Sequence, residues 1–540
     1  MAVKVKFCGA AGTVTGSCYW FKTDDCQFLV DCGLFQGNKT IKELNYSDFP
    51  FDPKQIDFVL LTHAHTDHTA LTPKLIKAGF KGPIYSTPAT LDLARYMLPD
   101  SGYIQETEVF RLNQRNRQRG RAIVQPIYTR QDAEASIYQF KPINYDTWHE
   151  PNKNVRVRLW NAGHILGSAS IEIELKDSGK SMRLLFSGDL GPANKAFHSG
   201  PEAPSNFDYV FCESTYGGRT RQDISVNKRR EILAHEINDA MKAGGNLVIP
   251  SFAVERSQEL LMDIDYLLGQ NEISSKAIFL DSPLAIKITS VFTKYAAELS
   301  MDETDLTPFD HPRFHFTETV DESKSINRFK SGGIIMAASG MCDAGRIRHH
   351  LKNHLWQANS TILLVGYQAE GTLGRLLENG IKSVKIQGED IMVRARIRSL
   401  DIYSGHADGK GLVDWVTLRK PINQCLFLTH GSGEALQALQ ASLLKDGFES
   451  DKIVIPAIDD EFNLCISGKT SKLPNVKHRL APETVGKPDW HNELAQLNLD
   501  IRKKLEGAAD NKNRDRILKN LKNAIYPKSK KKKIITGKYS

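Results

Sequence analysis

Along the first third of the chain, apolar positions come in short runs of strand length, and several of those runs end in a residue able to bind metal or move a proton. Met1 to Phe7 alternates apolar with charged residues, the pattern of a strand with one wet face. Phe28 to Asp31 and Ile56 to Thr62 are rich in β-branched and aromatic residues and predict more deeply buried strands. Val155 to Asn161 and Met182 to Gly188 repeat the pattern, and Cys425 to Thr429 repeats it much later. Between these runs, the spacing from Lys81 to about Pro151 predicts helices over the N-terminal core.

The middle of the chain has another rhythm. Asn227 to Lys242 reads as a helix, and Asn246 to Ser251, Ala277 to Asp281, Gly333 to Ala338 and Thr361 to Val365 are unbroken apolar runs. Strands covered on both faces read this way, so the segment predicts a parallel α/β domain. Near the end, Leu494, Leu497, Ile501 and Leu505 recur at helical spacing, as do Ile517, Leu518, Leu521 and Ile525 after a polar break. Two amphipathic helices are expected there, docking on the core or on a partner.

A chain of 540 residues is long enough for two or three domains, and 41% hydrophobic with 25% charged residues is an ordinary globular composition. No window approaches the roughly 18 uninterrupted apolar residues that span a bilayer, and the start lacks the apolar core of a signal peptide. A cytoplasmic protein without membrane attachment is expected. Eight scattered cysteines without a Cys-x-x-Cys pair read as buried, reduced thiols. The net charge of +8 is uneven: from Ser471 onward 18 Lys and Arg face 7 Asp and Glu, +11 in all, which leaves −3 for residues 1–470. The excess peaks at Lys528 to Lys533, a run that reads either as a phosphate-attracting tail or as a solvated, disordered end. Arg111, Arg115, Arg117, Arg119 and Arg121 form a second basic stretch, either a solvated face or a phosphate track.

The chemistry begins directly after Ile56 to Thr62, where His63, His65, Asp67 and His68 place four potential ligands within six residues. Imidazole suits zinc, and a loop leaving a strand can turn His63 and His65 toward one ion and Asp67 with His68 toward another. Further ligands recur after later strands: His164, Asp189 and His430. Asp31, at the end of its own strand, is positioned to orient a ligating histidine from behind. His350 and His354, one helical turn apart, offer a rival metal pair without a nearby third ligand; together with His349 they are expected on a helix surface or against substrate.

These residues resemble the metallo-β-lactamase superfamily and, within it, the β-CASP nucleases, from Val3 to about Pro456. The family's first four motifs are matched by Asp31, by His63 to His68, by His164 and by Asp189. Its later marks are matched by Glu213 within Cys212 to Gly217, by His406 within Ser404 to Asp408, and by His430. The resemblance implies an αββα sandwich of the metallo-β-lactamase type, an inserted parallel α/β β-CASP domain and a helical C-terminal extension. The implied boundaries are 1–215 and 381–470 for the two parts of the sandwich, 216–380 for the insertion, and 471–540 for a basic helical tail, partly disordered. It implies two Zn2+ ions, with Mn2+ as the alternative: one on His63, His65, His164 and Asp189, the other on Asp67, His68 and His430, with Asp189 shared. RNA-directed members, among them bacterial ribonucleases and the messenger-RNA 3′-end cleavage endonuclease, carry histidine at the last position where DNA-directed members usually carry valine. His430 therefore implies hydrolysis of RNA, single-stranded, by endonucleolytic or 5′-exonucleolytic cutting.

In that scheme Asp67 and Asp189 act through the metals, while His406 stabilises or protonates the leaving oxygen and Glu213 fixes its ring. Ser404 is expected beside the substrate. So are two Gly-containing loops after consecutive predicted strands, Ser339, Gly340 and Arg346 in one and Gly371 with Thr372 in the other; each reads either as a phosphate cradle or as an ordinary strand-to-helix turn. Other readings remain: a thioesterase or glyoxalase-like hydrolase, which leaves Glu213, His406 and the insertion unexplained; a DNA nuclease; and a non-catalytic RNA-binding subunit, which filled ligand positions argue against. A homo-oligomer, or a protein partner held by the tail, is also compatible with the sequence.

Overall fold

The computed structural model describes residues 3–525 except 178–179, 194–198, 222–223, 300–310, 367, 369–371, 466–469, 475, 486, 488–493, 495–496, 498–499 and 502–503. The chain divides into two compact units, Met1–Gly486 and Lys487–Ser540.

In the first unit two sheets face each other. One has eight strands in the spatial order Ser471–Lys472, Glu461–Leu464, Val3–Phe7, Tyr19–Lys22, Gln27–Val30, Phe58–Leu60, Ile84–Ser86 and Phe140–Pro142. The other has seven: Ile453–Val454, Ile422–Thr429, Phe207–Glu213, Lys180–Phe186, Ala169–Asp177, Val155–Asn161 and His149–Asn152. Alternate residues of both sheets point inward and build an aromatic core. Phe21, Phe28 and Phe58 stack in succession across three strands at 5.0 Å between ring centroids. Opposite them Phe186, Phe211 and Phe427 stack at 4.1 and 4.9 Å, and Phe21 joins the two sets, 5.7 Å from Phe186 and 6.0 Å from Phe211. Apolar clusters cover the outer faces as well, Leu71, Leu75, Leu91 and Leu98 on the first sheet and Leu412, Trp415, Leu436 and Leu439 on the second. The result is a four-layer αββα sandwich.

The segment from Lys81 to Pro151 is less purely helical than its spacing suggests. It holds a 31-residue helix, Pro88–Gln118, that runs through Pro99, and a shorter one, Arg130–Ser136, but also the strands Ile84–Ser86, Phe140–Pro142 and His149–Asn152.

The inserted segment forms a third sheet of six strands in the order Phe314–Phe316, Ala277–Leu280, Gly333–Ala337, Leu247–Pro250, Thr361–Leu364 and Arg396–Ser399. Every neighbouring pair in it is parallel, as its unbroken apolar runs require. Its last strand carries the inserted sheet to Ser399, past the expected boundary at 380. Leu247–Pro250 lies between Gly333–Ala337 and Thr361–Leu364, so the two Gly-containing loops do not leave neighbouring strands.

In the second unit Asn511–Ile525 is a helix in which no residue is buried. The expected helix before it falls largely on residues outside the described set, and Lys528 to Lys533 falls wholly outside it. Among the described residues no helix is long and apolar enough to cross a membrane.

Phe211 touches both aromatic stacks, so Phe211→Ala should cost about 3–5 kcal/mol of stability, read as an earlier urea transition. Tyr138, 87% exposed, should tolerate the same change with a shift within about 0.5 kcal/mol.

Candidate metal centre

Strand direction explains why distant residues meet. Lys180–Phe186, Phe207–Glu213 and Ile422–Thr429 are parallel neighbours, so Asp189, Glu213 and His430 arise at one edge of their sheet. Gln27–Val30 and Phe58–Leu60 are likewise parallel in the facing sheet and deliver Asp31 and His63 together. Asp31 and His430 both turn out of their strands with positive φ, at 58° and 49°, a conformation that costs a non-glycine residue energy and is tolerated where surrounding contacts impose it. For Asp31 those contacts are plain. Its buried carboxylate accepts hydrogen bonds from the Thr62 N–H at 2.9 Å, the Ser17 hydroxyl at 2.9 Å and His68 Nδ1–H at 2.7 Å. Gly33 is needed because a Cβ there would lie 1.6 Å from the Asp67 carbonyl oxygen.

The expected ligands gather in two neighbouring groups. Ligand atoms of His63, His65, His164 and Asp189 lie within 4.8 Å of one another, and so do those of Asp67, His68 and His430. His65 Nδ1 is 3.1 Å from His63 Nε2 and 3.2 Å from His164 Nε2, while His68 Nε2 is 3.1 Å from His430 Nε2. Asp189 stands between the groups. Its Oδ2 lies 3.5 Å from both His63 Nε2 and His164 Nε2, and its Oδ1 lies 3.4 Å from His68 Nε2 and from His430 Nδ1.

A divalent ion in each group fits this arrangement on three counts. Asp189 Oδ1 is buried with no hydrogen-bond partner, which is costly for a carboxylate oxygen unless a cation answers it. The nitrogen spacings match the edges, about 3.3 Å, of a tetrahedron with metal–nitrogen bonds of roughly 2.0–2.1 Å. The outer ring nitrogens are occupied: His164 Nδ1–H donates to the Gly405 carbonyl at 2.8 Å and His68 Nδ1–H to Asp31, which leaves each Nε2 lone pair facing inward. Burial lowers His63 well below the usual histidine range and takes His65 down to about 4, so both are neutral; burial also opposes charging of His68 and His430, but Asp189, with Asp31 at His68 and Asp67 at His430, overcomes it and raises both above that range. Burial opposes ionisation of Asp189, but His430, His68 and His63 overcome it and hold the carboxyl well below its usual range.

Glu213 and His406 sit on the rim of the same cluster. His406 Nδ1 is 3.1 Å from Glu213 Oε1, and its Nε2 is 4.0 Å from Asp189 Oδ2. Glu213 also accepts the Leu190 N–H at 2.6 Å and the Thr215 N–H at 3.2 Å, so it is held before it holds the histidine. Sequence reasoning missed Tyr216 and Arg221. The Tyr216 ring meets His406 edge-on at 5.7 Å, and Arg221 packs 4.2 Å over Tyr216 while donating to the His406 carbonyl at 3.1 Å. Tyr216 follows Glu213 by three residues and was visible in that motif; Arg221 carried no signal. Ser404 accepts the His406 N–H at 3.3 Å and so shapes that turn.

Several expected substrate contacts are otherwise engaged. The Arg346 guanidinium donates to Asp281 at 2.7 Å and to the carbonyls of Thr317 and Glu318 at 3.0 and 2.6 Å, which commits it to bracing its loop rather than to a phosphate. Thr372 caps the helix Leu373–Glu378 through the Arg375 N–H. The Ser339 N–H donates to the Ala344 carbonyl, and the Gly340 carbonyl accepts from Gln368, so the first loop is bonded internally and to the second. Gly371 lies outside the described residues. His350 and His354 are buried, not on a helix surface, and His350 Nε2 bonds Asp281 at 2.6 Å.

Because Asp31 fixes the His68 ring, Asp31→Ala should weaken metal binding by about 10–100-fold with the fold retained, measured by competition against a chromophoric chelator with circular dichroism as the control.

Comparison with known proteins agrees with this architecture. Residues 11–211 match the metallo-beta-lactamase superfamily, 257–377 the Beta-Casp domain, and 390–456 the Zn-dependent metallo-hydrolase RNA specificity domain. The chain is 33% identical over 448 residues to Ribonuclease TTHA0252 of Thermus thermophilus, an alignment covering 82% of this chain and 96% of that one. It is 30% identical over 446 residues to transcription termination factor FttA of Cenarchaeum symbiosum, covering 78% of this chain and 65% of the relative, and 27% identical over 456 residues to that of Methanosarcina mazei, covering 82% and 69%. The chain therefore belongs to the β-CASP family of the metallo-β-lactamase superfamily.

Proposed function

We propose that the protein is a two-zinc ribonuclease that hydrolyses phosphodiester bonds of single-stranded RNA. The observation that carries this reading is that Asp189 turns one oxygen toward His63 and His164 and the other toward His68 and His430, with a Glu213-anchored histidine facing the same carboxylate. The mixed imidazole and carboxylate donors suit zinc, with manganese as the alternative. When bound, two divalent ions activate water and neutralise the charge of a phosphodiester.

The chain's own residues supply the rest. His63, His65 and His164 would hold one ion and Asp67, His68 and His430 the other, with Asp189 between them and Asp31 behind His68. His406 would deliver a proton from Nε2 to the departing ribose oxygen. Glu213, accepting from Nδ1–H, keeps that nitrogen turned away and leaves Nε2 facing the site. Ser404, Tyr216 and Arg221 hold the turn that carries it. The inserted domain roofs the site: Glu255 accepts the Leu166 N–H at 3.2 Å, and Val254, Ile288 and Phe292 pack against Ala64, Ile165 and Leu166. A chain entering beneath that roof meets the metal ligands and His406 together.

RNA as the substrate is supported by the ribonuclease among the relatives and by the RNA specificity domain matched over 390–456. Free cysteines, seven of them buried, support a reducing cytoplasm.

The test compares 5′-labelled and internally labelled RNA with matched DNA and a thioester, using zinc-loaded wild type and His406→Ala. RNA alone should be cut, and His406→Ala should keep its metal while kcat falls by about 10²–10⁴-fold. A thioester or DNA cut in place of RNA would refute the reading. Preserved activity in His406→Ala would remove that residue from the chemistry.

A further inference from the structure

The long helix Pro88–Gln118 starts beside the metal centre. Thr87 and Thr90 both donate their hydroxyls to the carbonyl of Gly167, in the loop that carries His164. Across its 31 residues, on the order of 45 Å along the axis at about 1.5 Å per residue, the helix reaches an end that carries a compact tip with an unusual surface.

Residues 109–125 contain Arg111, Arg115, Arg117, Arg119 and Arg121 and no acidic residue. Among the described residues none of these five guanidiniums forms an ion pair or hydrogen bond, whereas Arg95 earlier on the long helix and Arg130 on the next one pair with Asp92 and Glu134. Between the arginines Phe110 is 62% exposed and Ile123 56%, with Leu112 and Val124 also open to solvent. The tip is nevertheless built. Asn113 clips Val124 through both amide atoms at 2.9 Å, and the buried Asn116 donates to the Ala122 carbonyl at 2.9 Å. Polar clips thus fix a rigid surface that holds apolar side chains out in water among unneutralised cations.

A ligand that satisfies both features must be polyanionic and carry flat apolar faces. Single-stranded RNA does so, with phosphates for the arginines and bases to stack on Phe110 and on the guanidinium planes. A protein partner would have to match five cations with carboxylates and still bury Phe110 and Ile123. We propose that this helix tip is an RNA exosite that holds substrate at a distance from the metal centre. The inference takes its ligand from the ribonuclease reading, but its own evidence is the tip.

Arg115→Gln/Arg119→Gln/Arg121→Gln, with Phe110→Ala as a separate variant, tests it. Binding of fluorescent oligoadenylate RNA of about thirty nucleotides is measured in chelator by anisotropy across a salt series. Cleavage of that RNA and of one of about five nucleotides is measured with metal. For the triple variant, affinity for the long RNA should fall at least tenfold, and the slope of log affinity against log salt should flatten by about 2, from roughly 0.7 per lost phosphate contact on a single strand. KM should rise for the long RNA with kcat unchanged, and kcat/KM for the short one should not move. Phe110→Ala should weaken long-RNA binding without changing the slope. Unchanged binding by the triple variant overturns the proposal, and so does a variant that alters self-association in sedimentation but not RNA affinity. A wild type that cuts no RNA defeats the ribonuclease reading instead, and the binding series still decides the exosite.

Discussion

The buried carboxylate of Asp189 is the constraint on which the rest of the structure turns. It is 2% exposed, it is ionised, and its two oxygens face two different groups of imidazoles. An unanswered charge in such a place costs several kcal/mol; without a metal His68 and His430 answer it by taking up protons, and a divalent cation among the same imidazoles would answer it in their stead. The surrounding chain is arranged as a cation cage. Strands in both sheets run parallel so that their ends arrive at one edge, Asp31 and Gly405 turn the histidine rings, and Glu213 aims His406 inward. Together they set Asp189 among imidazoles that could hold a cation beside it.

Much of this was legible in sequence, because the strands that carry the site are short, apolar and immediately followed by their functional residue. His63 to His68 is contiguous, so four ligand positions could be read from six residues. The inserted parallel sheet was equally visible in its runs of buried aliphatics. What could not be read were contacts between residues far apart in the chain. Arg346 looked like a phosphate ligand at a helix start, but Asp281, from a neighbouring strand, claims it together with His350. Strand order was hidden for the same reason: Leu247–Pro250, first of the inserted strands in sequence, lies between two later ones. The 31-residue helix was blurred by Pro99, which removes one backbone donor yet is buried and tolerated within it.

Chemistry and substrate handling are thereby separated in space. The sandwich edge gathers the candidate ligands and His406, the inserted domain roofs them, and the long helix connects the His164 loop to a basic, aromatic tip. A roof packed through Val254 and Ile288 covers the candidate site from that side. Affinity for a long polymer can then be built outside that confined site, where arginines remain hydrated until a phosphate arrives.

Anomalous diffraction at the zinc absorption edge, on crystals grown with zinc, tests the centre most directly. Two peaks are predicted, one among His63, His65, His164 and Asp189 and the other among Asp67, His68, His430 and Asp189. One peak alone, or zinc bound elsewhere with Asp189 left uncoordinated, would contradict the shared-carboxylate account.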